Sequence, residues 1–197
     1  MATQNYTQSQ KTVDEALDET GNDLPTSPDA LLNTLKKMNI SYDLHHHEAV
    51  YTVAQSQKVD ANIPGTHCRN LFLRDRKKKN YLLVLPINVE IDLKKLPDAL
   101  NSHRLSFGSD DRLWEYLGVR SGSVCPFCIV NDTENQVEIF LEKSMMAQEK
   151  VNYHPMLNTM TVSLKPDDLL KFIESTGHKA HIIDLSEAQP EAVQPEK

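Results

Sequence analysis

Leu31, Leu32, Leu35 and Met38 recur at helical spacing behind Ser27-Pro28-Asp29, a cap followed by proline at the first helical position. The first element of the fold is therefore expected to be a helix starting at residue 28. Apolar and polar residues then alternate over Ser41–His46, which reads as a strand, and Thr52–Val59 reads as a second short helix. Two apolar runs, Asn70–Leu73 and Tyr81–Leu85, flank Arg74-Asp75-Arg76-Lys77-Lys78-Lys79-Asn80, the pattern of a hairpin with a basic tip. Ile91-Asp92-Leu93 opens an expected helix around Lys94–Leu100, and a further helix is expected over Asp110–Leu117, capped at Ser109 and ended by Gly118. Val124–Asn131 and Gln136–Leu141 read as a second hairpin pair turning at Asp132-Thr133-Glu134-Asn135. Thr159–Leu164 reads as the last strand and Pro166–Thr176 as a helix stopped by Gly177. Strands and helices mix without regular βαβ alternation and without an internal repeat, so the fold class is α+β in a single domain.

Length and composition place limits on that domain. The chain has 197 residues, 39% of them hydrophobic, enough for one domain with a sizeable core. Residues 1–27 lack periodicity and are rich in Gln, Thr, Asp and Glu, so they are expected to be a disordered acidic tail, as is 186–197 at the other end. The folded unit is placed at 28–185. The net charge of −7 belongs mostly to the tails, with −4 in 1–27 and −2 in 186–197, which leaves 28–185 close to neutral. Broad, non-specific binding to a phosphate backbone is disfavoured, no DNA partner is expected, and any RNA contact should be local. No apolar run reaches the roughly 18 residues of a membrane span, so no membrane partner is expected. The polar N-terminus is unlike a signal or transit peptide, and three cysteines do not make a disulfide framework. The expected setting is reducing and cytoplasmic.

Two polar segments carry the candidate chemistry. In Gly65-Thr66-His67-Cys68-Arg69-Asn70-Leu71-Phe72-Leu73-Arg74-Asp75, a glycine-led turn precedes a buried strand, with Arg69 and Asn70 at its mouth. There a fork of N–H donors could hold a carbonyl, a ribose hydroxyl or a phosphate. Val151-Asn152-Tyr153-His154-Pro155-Met156-Leu157-Asn158 places a histidine and an asparagine on a second short turn. The histidine can move a proton near pH 7, and the asparagine offers both a donor and an acceptor. Two such turns meeting across a pocket would make a small-substrate site.

As an ordered set these segments resemble the freestanding prolyl-tRNA editing domains, the ProXp-ala or PrdX-like aminoacyl-tRNA deacylases of the wider YbaK superfamily. The first matches Gly-x-His-x-Lys-Asn-Leu-Phe-Leu except that Arg69 stands where the family has lysine. The second matches an aromatic-His-Pro-x-x-Asn motif. Gly118-Val119-Arg120-Ser121-Gly122-Ser123-Val124-Cys125-Pro126-Phe127 matches the family's Gly-Val-x-x-Gly-x-Val-x-Pro-Phe loop, and Phe107-Gly108-Ser109 matches as well, so the likeness spans about 29–185. It implies a mixed curved sheet or barrel-like core with helices packed around it. It also implies ester hydrolysis on mischarged tRNA, foremost alanyl-tRNA for proline, with no metal and no cofactor. The expected partners are aminoacyl-tRNA, above all proline tRNA, and an aminoacyl-tRNA synthetase. Arg69 and His154 are then the expected catalytic residues, and His67, Asn70, Gly122, Val124 and Asn158 the expected substrate-binding ones. Arginine keeps the positive charge but cannot lose its proton near neutrality, so a mechanism needing a neutral amine is excluded and one needing a fixed cation survives. An inactive homologue that docks on tRNA or a synthetase is the alternative.

Other candidates weigh less. Cys125-Pro126-Phe127-Cys128 lies in an apparent strand, where residues three apart point to opposite faces, so structural cysteines are expected. His45-His46-His47 would offer only two rings to one face. Arg74, Arg76, Lys77, Lys78 and Lys79 at the hairpin tip are candidate tRNA phosphate contacts, or simply a solvated tip that resists edge pairing. No Gly-rich phosphate loop, Ser/His/Asp ordering, His-Glu-x-x-His or paired catalytic carboxylates stand out.

Overall fold

Helix α1 (Pro28–Lys37) begins as the cap signal requires: the Ser27 hydroxyl accepts from the Ala30 amide at 3.2 Å, and Leu31, Leu32 and Leu35 form its buried face. The structure is a computed structural model that describes residues 23–50 and 53–190, with the side chains of 53–56 left aside. After α1 come β1 (Tyr42–His46), α2 (Val53–Asp60), the long hairpin of β2 (Thr66–Asp75) and β3 (Asn80–Pro86), and a single turn, α3 (Leu96–Ala99). Then follow β4 (Leu105–Phe107), α4 (Asp110–Leu117), β5 (Val137–Glu142), β6 (Val151–Tyr153), β7 (Met160–Leu164), α5 (Pro166–Ser175) and β8 (Ala180–Ile183). Gly118 closes α4 at φ 61, a left-handed cap that glycine adopts at little cost.

The sheet runs β1-β7-β6-β2-β3-β5-β8, with β4 beside the far end of β2. Pairing is mixed: β2 with β6, β3 with β5 and β5 with β8 are parallel, and the other pairs antiparallel. Of the two forms expected, open sheet or barrel, it is the open one, since β1 and β8 end the order without pairing to each other. Strand β3 is buried along its whole length because both of its faces are covered. Leu82 and Val84 enter a large core with α1, α4 and α5, while Tyr81, Leu83 and Leu85 enter a smaller one with Leu96, Leu100 and Phe140.

Several expectations need correction. Pro126–Asn131 is a 3-10 helix, not a strand, and β5 pairs in parallel with β3 rather than with it. Pro126 fixes φ and brings no N–H to a ladder, while Cys128 donates back to the Cys125 carbonyl at 3.2 Å. An apolar run buried on all sides carries no period by which to tell strand from helix. The helix expected around Lys94–Leu100 is there but is only the single turn Leu96–Ala99, entered from Asp92, whose carbonyl accepts from the Lys95 and Leu96 amides at 3.0 and 3.1 Å. The short strands β4, β6 and β8 were not anticipated, so β7 is not the last strand. Order also runs past 28 and 185: Leu24 and Ala188 are buried, and Ser186–Ala188 form a 3-10 turn. The expected disorder of 1–22 and 191–197 lies outside the described residues.

The turn entering β5 is held by charge. Asp132 is 5% exposed; its Oδ1 accepts from the Gln136 amide at 3.0 Å and its Oδ2 from the Val137 amide at 2.7 Å. His178, just after α5, places Nε2 3.1 Å from the same Oδ2, and Thr176 holds its Nδ1. Replacing Asp132 with alanine would orphan two amides and an imidazole in a buried site. Asp132→Ala should cost about 3 kcal/mol or more, read as a lowered urea midpoint, whereas an unchanged midpoint would show that the turn is held elsewhere.

Candidate active site

The first polar segment enters the fold as strand: β2 is extended from Thr66 onward, and Gly65, at φ 112, lies in the bend before it. The pleat sends Cys68, Asn70 and Phe72 toward the large core, and Arg69, Leu71 and Leu73 toward the small one. Along the Asn70 face opens a cleft of about 430 Å3, bordered by Cys68, Asn70, Phe107, Gly122, Val124 and His154. Four regions far apart in sequence therefore meet along one strand face.

Asn70 is the tie between two of them. Its Nδ2 donates to the Val124 carbonyl at 2.9 Å, while its Oδ1 is buried with no protein partner. The loop it holds turns at Gly122 (φ 89), with the Ser123 amide donating to Arg120 at 3.0 Å. The Gly122 and Val124 amides have no protein acceptor among the described residues. Arg120 anchors the start of this loop by laying its guanidinium 4.0 Å from the Trp114 ring centre. Gly108 also borders the cleft, close against Phe72: a β-carbon there would stand 2.2 Å from the Phe72 ring.

His154 follows β6 on a turn whose Met156, fully buried, has φ 70. Its Nδ1 lies 2.8 Å from the Met160 carbonyl, so Nδ1 carries the proton and Nε2 remains the basic nitrogen. Burial pushes its pKa below the usual imidazole value; the Met160 carbonyl and Asp60 oppose that shift, while His47 and His67 add to it. The ring is therefore neutral at pH 7 and has a lone pair to offer. Cys68 beside it is pushed up to about 12, mainly by burial, and acts as a neutral thiol.

The other expected residues are placed differently. Arg69 borders the cleft, but its Nη2 donates to the Val89 carbonyl at 2.7 Å, on the strand face away from Asn70. His67 is a clamp rather than part of the cleft wall: Nδ1 meets Asp60 at 2.9 Å, and Nε2 lies 3.0 Å from both the Ile63 carbonyl and Asn152. Asn158 is not brought to the cleft. Its Nδ2 donates to the Val50 carbonyl at 2.9 Å, fastening its own turn to the segment after β1.

At the hairpin tip Arg74 donates to Asn80 and lies over Tyr116, and Lys79 pairs with Glu138, whereas Arg76, Lys77 and Lys78 are exposed. The cysteines at 125 and 128 do not diverge, because the 3-10 turn brings their Sγ atoms to 3.1 Å, both fully buried and free. His47 lies beyond β1, its Nδ1 at the Glu48 carbonyl and its Nε2 at Thr161. Among the described residues no three His, Cys, Asp or Glu side chains gather as metal ligands. Sequence reasoning assigned no role to Cys68 or Phe107 in the wall, or to Asn152 behind it. The period of two running back from Asn70 would have pointed to Cys68.

The family described as aminoacyl-tRNA editing domain matches residues 47–172. The prolyl-tRNA editing protein ProX of Acetoanaerobium sticklandii is 38% identical over 157 residues, covering 79% of this chain and 96% of that protein. Prolyl-tRNA synthetase associated domain-containing protein 1 of Bos taurus is 33% identical over 161 residues, 79% of this chain and 94% of the other. A crystal structure described as a candidate trans-editing enzyme for prolyl tRNA synthetase shares the fold at a TM-score of 0.61 and 16% identity, over 81% of this chain and 97% of that one.

A thiol pushed this far up reacts slowly. Iodoacetamide at pH 8 should spare Cys68 in the native protein and label it in urea, as mapped by peptide mass. Rapid native labelling at Cys68 would contradict the burial that holds it protonated.

Proposed function

This chain belongs to the aminoacyl-tRNA editing domain family, and on that footing we propose that it is a trans-acting deacylase that hydrolyses mischarged tRNA, foremost alanine on proline tRNA. The observation that carries this reading is the cleft where Asn70, the Gly122–Val124 loop and His154 converge. A synthetase pocket built for proline cannot strongly reject a smaller side chain, and a second site that excludes the larger one by size restores accuracy. An aminoacyl ester is an activated bond, so the protein needs mainly to position it, supply water and stabilise the oxyanion. The unengaged amides of Gly122 and Val124 suit the oxyanion. His154 Nε2 suits the proton transfer, and Arg69 supplies a fixed positive charge at the border.

The tip of the β2–β3 hairpin supplies the tRNA contact in this proposal. Arg74 lies four residues beyond Asn70 on the same strand face, about 13 Å away at strand rise, so an acceptor stem entering past the tip would meet Arg76, Lys77 and Lys78. The proposed setting is the cytoplasm, with a prolyl-tRNA synthetase as docking partner; no helix among the described residues is long and apolar enough to cross a membrane. The anchoring of Arg69 on Val89 favours one other reading, a docking module without turnover.

Proline tRNA charged with alanine, serine, cysteine or proline separates the two readings. Loss of alanine alone is expected, and tRNA binding without loss of any ester would leave the docking module. His154→Ala should lower kcat/KM about 100-fold. Arg69→Ala should lower it as well, and an unchanged rate on every substrate would remove Arg69 from the machinery. Because burial lowers the His154 pKa, the base stays neutral below the usual 6.5. The acid limb of kcat/KM, corrected for spontaneous ester loss, should therefore fall below pH 6.5, and a limb above it would assign the titration elsewhere.

A further inference from the structure

A second cavity of about 50 Å3 adjoins the cleft and shares Cys68, Asn70 and His154 with it. Its remaining wall includes His67, Asn152 and Thr161. A water needs roughly 10–15 Å3 of such space and two to four polar partners, and this chamber meets both conditions. Asn70 Oδ1 and Asn152 Oδ1 are buried without a protein partner, and Asn152 as a whole is 2% exposed. Thr161, 3% exposed, has its Oγ1 3.0 Å from His47 Nε2. His47 Nδ1 lies 2.8 Å from the Glu48 carbonyl and so carries the proton. The Thr161 hydroxyl must then donate to His47 Nε2, which leaves its lone pairs to accept. Buried acceptors without donors carry a desolvation cost that a water donating two hydrogens removes.

We propose that this chamber binds the hydrolytic water, with Asn70 and Thr161 as positioning residues and His154 Nε2 as the group that takes its proton. The inference rests on the deacylase reading and deepens it. Water oxygen bonds to the ester carbonyl carbon, and its proton moves to His154 Nε2. The bond from that carbon to the ribose oxygen then breaks, and His154 returns the proton to the leaving oxygen. One water is consumed, and a free amino acid and an intact tRNA hydroxyl are released. The groups that bear on the His154 charge are His47, Asp60 and His67, so only neutral variants outside that set isolate the chamber.

Thr161→Val keeps the shape and removes the acceptor. It should lower kcat about 10-fold at unchanged KM, with Thr161→Ser restoring most of the rate. A crystal structure of the free wild-type protein should show an ordered water within hydrogen-bonding distance of Asn70 Oδ1 and Thr161 Oγ1, and the valine variant should lose it. An unchanged kcat in Thr161→Val, or a chamber without ordered water in well-resolved density, overturns the proposal. A wild-type protein inert on every charged tRNA, yet with the water in place, would overturn the deacylase reading and the water's catalytic role while leaving the water site standing.

Discussion

Strand β2 has to satisfy two half-sheets at once. Its first residues, Thr66 and His67, pair in parallel with β6; Cys68 to Arg74 pair antiparallel with β3; and its last three meet β4. A slip of one residue would exchange the two faces, turning Arg69 toward the core that Phe72 enters and Asn70 away from Val124. The register is therefore set by hydrophobic burial on both sides, and the site inherits its geometry from that register. The loop through Gly122 attaches to β2 by the Asn70 bond, and the turn bearing His154 attaches through β6. Neither needs a stiff backbone of its own.

Burial also sets the chemistry of what β2 gathers. The same desolvation that keeps His154 neutral keeps Cys68 protonated, so two groups at the floor of the cleft are uncharged and weakly hydrated. On the proposed reading, the uncharged carbonyl of the ester can enter such a floor with little loss of solvation, and fixed dipoles rather than mobile water would meet the charge that develops on its oxygen. Positive charge stays at the border, on Arg69 and the exposed tip of the hairpin. This separation, neutral within and cationic outside, suits a substrate whose reacting end is small and whose body is polyanionic.

Much of this was legible in the sequence, where local chemistry fixes local structure. Ser27-Pro28, Gly118 and Gly177 end or begin helices by capping rules that need no tertiary context, and α1, α4 and α5 stand where they point. The basic hairpin follows from two apolar runs around a charged tip. Legibility fails where burial is uniform or pairing is remote. The run from Val124 to Ile129 is apolar without period, so Pro126 alone argued against a strand, and with the strand went the divergence of Cys125 and Cys128. Strands of three or four residues such as β4, β6 and β8 carry too few positions to show alternation. Of the site, Asn70, Gly122, Val124 and His154 are at the cleft. The Asn158 amide serves a backbone carbonyl 108 residues away, and the direction of the Arg69 side chain depends on a register; no local pattern reveals either.

Gly122 and Gly108 both border the cleft, and each is glycine for a different reason. At Gly108 an added carbon would collide with Phe72; at Gly122 it would touch nothing within 4 Å, and only φ 89 stands against it. The requirement at 122 is thus one of handedness, not of bulk. A residue of mirror-image configuration has that φ as its natural minimum, so a D-amino acid placed there by chemical ligation would keep the backbone of the loop without strain. The turn could in this way be fixed by stereochemistry where an L side chain would strain it.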